Sequence, residues 1–139
     1  MIKEFRGKHL FLSNFYGVAV SYNGLKFMSS EAAFQAQKCP SMAKSFTRLG
    51  PNKAKALGRN VQLREDWEDV KDDIMYDVIK AKFTQNEYIK KQLLDTGDEE
   101  LVEGNTWNDT YWGVDIRTGK GKNKLGKLLM KLRTELREE

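Results

Sequence analysis

Residues 18–38 read VAVSYNGLKFMSSEAAFQAQK, and their hydrophobic spacing changes part-way along. On either side of Asn23-Gly24, short apolar runs alternate with polar residues. Asn-Gly suits a tight turn whose two central residues both need positive φ, so an antiparallel hairpin is expected over 18–27. Directly after it, Ser29 and Ser30 offer hydroxyls to cap a helix over SSEAAFQAQK. Pro40 marks the end of that helix, and its alanines let neighbouring elements come close. A small sheet running into a helix sets the class as α+β.

Outward from this stretch the chain continues as helices. Pro51 fits the first turn of a short helix that stops at Gly58. From Asp66 to Phe83, Trp67, Val70, Ile74, Val78 and Ala81 recur at helical spacing, with Asp66 as the cap and acidic residues in the first turn. Another helix runs to a stop at Thr96-Gly97, and ELVEGN (100–105) fits a short strand. Leu125, Leu128, Leu129, Leu132 and Leu136 then mark a last amphipathic helix. The expectation is one mostly helical α+β domain over residues 1–139, with a small antiparallel sheet near the N-terminus.

Composition narrows the class further. With 40% hydrophobic and 32% charged residues, the chain has ordinary globular make-up, and no stretch nears the roughly 18 to 20 unbroken apolar residues of a membrane span. Charges within MIKEFRGKHLFLSNF (1–15) argue against a secretory signal, and the single cysteine, Cys39, suits a reducing cytoplasm. Cys39 and the lone His9 leave no zinc-type ligand cluster, so neither a metal nor another cofactor is expected. His9 also has no Ser-His-Asp arrangement around it. A net charge of +4 favours anionic partners only weakly.

Three constellations carry chemistry. On the helix after the hairpin, Glu31, Phe34, Gln35 and Lys38 fall at i, i+3, i+4 and i+7 and share one side. Spacing alone favours a solvated stripe in which Phe34 alone dips into the core; the sharper alternative is a ligand lying along that side. In NTWNDTYWG (105–113), Asp109 sits between Trp107 and Trp112, with Asn105, Asn108 and Gly113 nearby. Flat indoles beside a carboxylate suit stacking on a base or sugar and stabilising a cationic centre, whereas the plainer reading is an Asx turn with one tryptophan plugging the core.

The run GKNKLGKL (121–128) mimics a phosphate loop, which needs a preceding strand and a hydroxyl for magnesium, but Leu128 replaces the hydroxyl residue and Gly126 and Lys127 fall inside the leucine-periodic helix. What survives is an anion held by backbone N–H groups around 121–124 with Asn123 beside them, set against a solvated lysine face. FLSNF (11–15) ends a possible strand and sets Ser13 and Asn14 between aromatics, either as a specificity edge or as a turn. Trp67, at a helix start, fits either core or site wall.

Taken together, FRGKHLFLSNF, SSEAAFQAQK, Trp67 followed by VKDDIM and AKFTQN, LLDTGDEELVEGN, NDTYWG and GKGKNKLGKLLMKLR resemble the NADAR, or YbiA-like, family over nearly the whole chain. The resemblance implies the fold of that family and an N-glycosidase that breaks a carbon–nitrogen bond at ribose C1. Its substrate would be either a phosphorylated ribosylamino-pyrimidine of early riboflavin biosynthesis or ADP-ribosylated guanine, free or carried on a nucleic acid. It further implies that Glu31, Trp67, Asp109 and Trp112 are functional and that Lys38 attacks the opened sugar to form a Schiff base.

The candidate set is therefore Glu31, Lys38 and Asp109 for the chemistry, with Ser13, Asn14, Phe15, Phe34, Gln35, Trp67, Asn105, Trp112, Gly113 and Asn123 for the substrate. Cleavage develops positive charge at C1 and negative charge on the departing base, which two carboxyl groups can divide between them. A competing reading is a non-catalytic ADP-ribose or nucleotide reader using the same surfaces. A basic nucleic-acid-binding module ranks last, because acidic residues are interspersed and no recognition motif is present.

Overall fold

A computed structural model describes all of residues 1–139. The α+β chain gathers into two compact units, Asn14–Asn86 and Met1–Ser13 with Glu87–Glu139.

In the unit Asn14–Asn86, β1 (Gly17–Tyr22) pairs antiparallel with β2 (Leu25–Ser29). The turn between them holds Asn23 and Gly24 at φ 49° and 80°, the left-handed conformations that Asn-Gly was expected to supply. Val20 and Phe27 are register partners, both buried, and pin the hairpin by one face. At Ser21, the Gln85 carboxamide takes the backbone N–H at 2.8 Å and returns a bond to the carbonyl at 2.8 Å, standing in for a neighbouring strand.

Helix α1 (Ser30–Ala36) starts where expected: extended Ser29 accepts the Ala32 N–H on its hydroxyl at 3.1 Å. It stops earlier than SSEAAFQAQK suggested, because Gln37 turns its carboxamide back onto the Ala33 carbonyl, and Lys38 lies in the turn beyond. Every residue of α1 is buried, and Ala32, Ala33 and Ala36 let the hairpin, α2 (Pro51–Gly58) and α3 (Trp67–Thr84) pack against it. Asp66 occupies the N-cap position of α3 as expected, but its side chain makes no cap bond, because its carboxylate is taken by Arg64 at 2.6 and 3.1 Å. The buried face of α3 is also rotated from the expected stripe, to Met75, Val78, Ile79, Lys82 and Phe83 beside Trp67, leaving Val70, Ile74 and Ala81 half-buried.

In the other unit the expected strand ending in FLSNF is instead a 3-10 helix, Gly7–Leu12, with Gly7 at φ 57° and i→i+3 bonds such as Ser13 N–H to the Leu10 carbonyl. Helix α4 (Glu87–Asp95) ends before Gly97, which takes φ 63°. Within ELVEGN, Leu101 bridges to Ile2, and β3 (Gly104–Asn105) pairs in parallel with β4 (Val114–Asp115), a second sheet that the sequence pattern did not announce. Helix α5 (Lys124–Arg137) buries Leu125, Leu129, Leu132 and Leu136. A Cβ on Gly126 would lie 2.1 Å from the Leu101 carbonyl oxygen, so this glycine of the phosphate-loop look-alike serves backbone approach. No helix is long and apolar enough to cross a membrane.

Candidate active site

The α1 stripe is not solvated. Glu31 and Gln35 are 9% and 5% exposed, since a seven-residue helix enclosed by the hairpin, α2 and α3 has no face left for water. The start of α1 is braced by Asn14, whose carbonyl accepts the Glu31 N–H at 3.0 Å and whose side-chain oxygen accepts the Ser30 hydroxyl at 2.8 Å. Asn14 also donates to the Met75 sulfur at 3.3 Å, so this candidate for substrate contact braces the helix as well.

One turn along, Gln35 Nε2 donates to Glu31 Oε2 at 2.6 Å, a short, charge-assisted bond. The other end of the same carboxamide, Oε1, is buried without a partner. Leaving such a group unsatisfied costs about 1–3 kcal/mol, so holding Glu31 in this geometry opposes stability.

Phe34 and Trp67 meet at 5.1 Å between centroids, tilted by 53°, and Lys38 Nζ stands 6.0 Å above the Trp67 ring. Burial lowers the Lys38 pKa; the negative charge of Glu31 pulls it back, and Arg59, Lys55 and Lys71 push it down again. The indole face favours the charged ammonium, but at the edge of cation–π range this is worth only about 0.5–1 kcal/mol. Burial wins, and the neutral, nucleophilic amine is more abundant than on an ordinary lysine. Phe15 lies in the same unit with Lys55 Nζ 5.7 Å from its ring. Thus Glu31, Phe34, Gln35, Lys38 and Trp67 are brought together, whereas Ser13, Asn105, Asp109, Trp112, Gly113 and Asn123 belong to the other unit.

There the 105–113 loop is held by its own polar groups. Asn105, 1% exposed, donates to the Asp109 carbonyl and to Glu103 Oε2, each at 2.9 Å, and accepts the Asp109 N–H at 3.0 Å. Asp109 Oδ1 accepts the N–H groups of Tyr111 at 3.1 Å and Trp112 at 3.0 Å, the Asx-type turn foreseen as the plainer reading. Trp112 meets Tyr111 edge-on at 4.8 Å, while Trp107 is 59% exposed and plugs no core.

Most of the N–H groups expected to hold an anion around 121–124 are engaged within the chain. The N–H groups of Lys122, Asn123, Lys124 and Leu125 bond to the carbonyls of Thr110, Gly113, Tyr111 and Trp112. Asn123 itself accepts the Glu103 N–H at 3.0 Å and donates to the Leu101 carbonyl at 2.9 Å, bonds that brace this part of the chain.

A family model described as the NADAR domain matches residues 2–137. The chain belongs to the NADAR family. Among proteins similar to this NADAR chain, the N-glycosidase YbiA of Shigella boydii is 42% identical over 129 residues, covering 89% of this chain and 79% of that protein. A riboflavin biosynthesis protein of Vibrio vulnificus is 38% identical over 135 residues; the NADAR chain spans only 36% of its length. The NMR structure of Escherichia coli YbiA superimposes with a TM-score of 0.85 at 35% identity, covering 99% of this chain and 88% of that one.

Three residues of the NADAR chain escaped sequence reasoning. Glu103 bonds Asn105, and its Oε2 would lie 1.9 Å from a Cβ on Gly113, which explains why Gly113 must be glycine. Lys82 is fully buried, 5.0 Å from the Phe83 ring and 5.7 Å from the Tyr16 ring, and burial lowers its pKa to about 7. Gly58 faces Gln35. A Glu two residues ahead of a polar loop and a Lys at i+4 from Val78 were the only cues, and both patterns are common on surfaces.

Proposed function

We propose that this NADAR chain hydrolyses the C1–N bond of a ribosyl adduct, with Glu31 and Lys38 as working groups. Its family and its relatives make it a hydrolase of N-glycosyl bonds. The substrate proposed here is either a phosphorylated ribosylamino-pyrimidine of early riboflavin biosynthesis or ADP-ribosylated guanine, free or on a nucleic acid. The riboflavin-biosynthesis name of one relative speaks for the former.

The observation that carries the reading is the Lys38 amine, half-buried over Trp67 with its pKa lowered and the Glu31 carboxylate in the same cluster. A neutral amine can add to C1 of the ring-opened ribosyl imine. Collapse of the adduct expels the base as a free amine and leaves a lysine imine, and water then releases the aldehyde sugar and restores Lys38. Glu31 stabilises the positive charge that develops near C1. Phe34 and Trp67 offer a flat wall for a base or ribose. Asp109 is proposed as a second catalytic carboxyl and Trp112 as a stacking surface, on the strength of the family resemblance.

The test incubates the purified protein with each substrate and scores released base by chromatography, with borohydride added in parallel. Base release together with a reduced adduct on Lys38, both lost in Lys38→Ala, supports the imine route. Turnover that leaves no adduct replaces it with direct water attack. Absence of release from either substrate leaves only a reader of ADP-ribose.

A further inference from the structure

The Gln35 carboxamide presents an odd arrangement: one end makes a 2.6 Å bond to Glu31, and the other is buried without a partner. Its orientation is fixed by Glu31, because the reverse flip would set a carbonyl oxygen against a carboxylate oxygen at the same distance. What admits the unpaired oxygen is Gly58, at the end of α2. A Cβ built there would lie 2.0 Å from Gln35 Oε1 and 2.8 Å from Cδ. No unusual backbone angle requires glycine, since Gly58 is not among the positive-φ residues. Alanine is otherwise the better helix former, so the glycine serves the space it leaves.

We propose that Gly58 is a positioning residue for the reaction: the space left by its missing side chain seats the Gln35 oxygen and thereby aims the carboxamide N–H at Glu31. This rests on the reading of Glu31 as a catalytic group. Gln35 is then the intermediary and makes no contact with substrate. A methyl group at 58 meets the far end of a flexible side chain, so the chain still folds, but Gln35 must swing away. Every residue of α1 is buried, so a Gln35 carboxamide displaced by that methyl has little room in which to keep its bond to Glu31. Glu31 loses the Gln35 donor that holds its Oε2 in line.

A double-mutant cycle over Gly58→Ala and Gln35→Ala tests this, read by kcat and KM for base release, by thermal melting, and by the Gln35 side-chain amide resonance in ¹H–¹⁵N spectra. Gly58→Ala is expected to lower kcat about 10- to 100-fold, as for misplacement of a catalytic group by a fraction of an ångström to an ångström, with KM within about twofold. Gln35→Ala should do the same, and the double variant should be no slower than Gln35→Ala alone. Melting should fall for Gly58→Ala in the wild-type background and hold or rise for it in the Gln35→Ala background. The Gln35 amide proton should lie downfield in the wild type and return to ordinary values in both Gly58→Ala and Glu31→Ala.

Additive rate losses, an unchanged kcat in Gly58→Ala, or an amide resonance indifferent to either substitution overturns the proposal. If the unmutated protein releases no base, the enzyme reading fails by itself. The resonance and the melting cycle then still decide whether Gly58 seats Gln35 against Glu31.

Discussion

The α1 cluster and the 105–113 loop hold the same kinds of residue, carboxylates, amides and indoles, and treat them in opposite ways. In the loop, Asn105 spends both ends of its carboxamide on its neighbours, and Asp109 Oδ1 takes two backbone N–H groups. Even the first N–H groups of α5 are taken up by loop carbonyls. In the α1 cluster, Gln35 keeps an unpaired buried oxygen, and Lys38 is driven toward its neutral form. The loop invests its polar groups in shape. The helix holds its own in a costlier, more reactive state, and such local expense is where function is to be sought.

The comparison breaks most visibly at the two carboxylates. Glu31→Gln should slow base release by about 10²- to 10⁴-fold, as for loss of a positioned catalytic group, with little change in melting temperature. Asp109→Asn keeps the Oδ1 acceptor and removes only the charge. A comparable kcat loss without thermal change would give Asp109 a chemical role, whereas unaltered kinetics would reduce it to a turn former. Steady-state kinetics and melting of the two variants side by side decide this.

The second effect concerns stability. Lys82 is fully buried, and its pKa is lowered from the ordinary 10.5 to about 7 by desolvation. Between those values the unfolded chain binds more protons at this group than the folded one, so its contribution to stability rises with pH across that window. Below about pH 7 the folded state carries a buried ammonium and its full penalty. Lys82→Met should therefore raise the melting temperature most at pH 6, by about 2–4 °C per kcal/mol regained, and the gain should vanish toward pH 10. A gain that does not depend on pH would show that packing, not charge, is responsible.

The smallest effect sharpens the loop side. Asn123→Ala removes the bonds to the Glu103 N–H and the Leu101 carbonyl and should destabilise by about 1–3 kcal/mol, measured by urea unfolding. Because Asn123 acts as a brace, the same variant should lose stability without a matching rise in KM for the phosphorylated substrate. A large KM effect with unaltered stability would restore the phosphate contact first expected of it.

Local signals were legible where the chain decides matters within a few residues. The Asn23-Gly24 turn, the Ser29 cap, Pro51 opening α2 and the leucine face of α5, apart from half-buried Leu128, stand as read, because each depends on backbone angles or on a period that neighbours set. Asp66 holds the cap position of α3 but makes no side-chain cap bond, because Arg64, two residues before it, takes its carboxylate. FLSNF failed as a strand because Phe11 and Leu12 are drawn into a 3-10 helix started by Gly7 at positive φ. The polar stripe on α1 failed for a different reason: helical spacing says which residues share a side, not whether a side faces water.

From the sequence alone came the α+β class, most helix starts and stops, and, through motif order, membership of the NADAR family. Only the tertiary structure decided that Glu31 and Gln35 are buried, that Lys38 is pressed toward neutrality over Trp67, and that Gly58 leaves room for an unpaired oxygen. Backbone propensity and hydrophobic period are short-range properties written in adjacent residues. Desolvation and the space beside an atom depend on what distant parts of the chain place there.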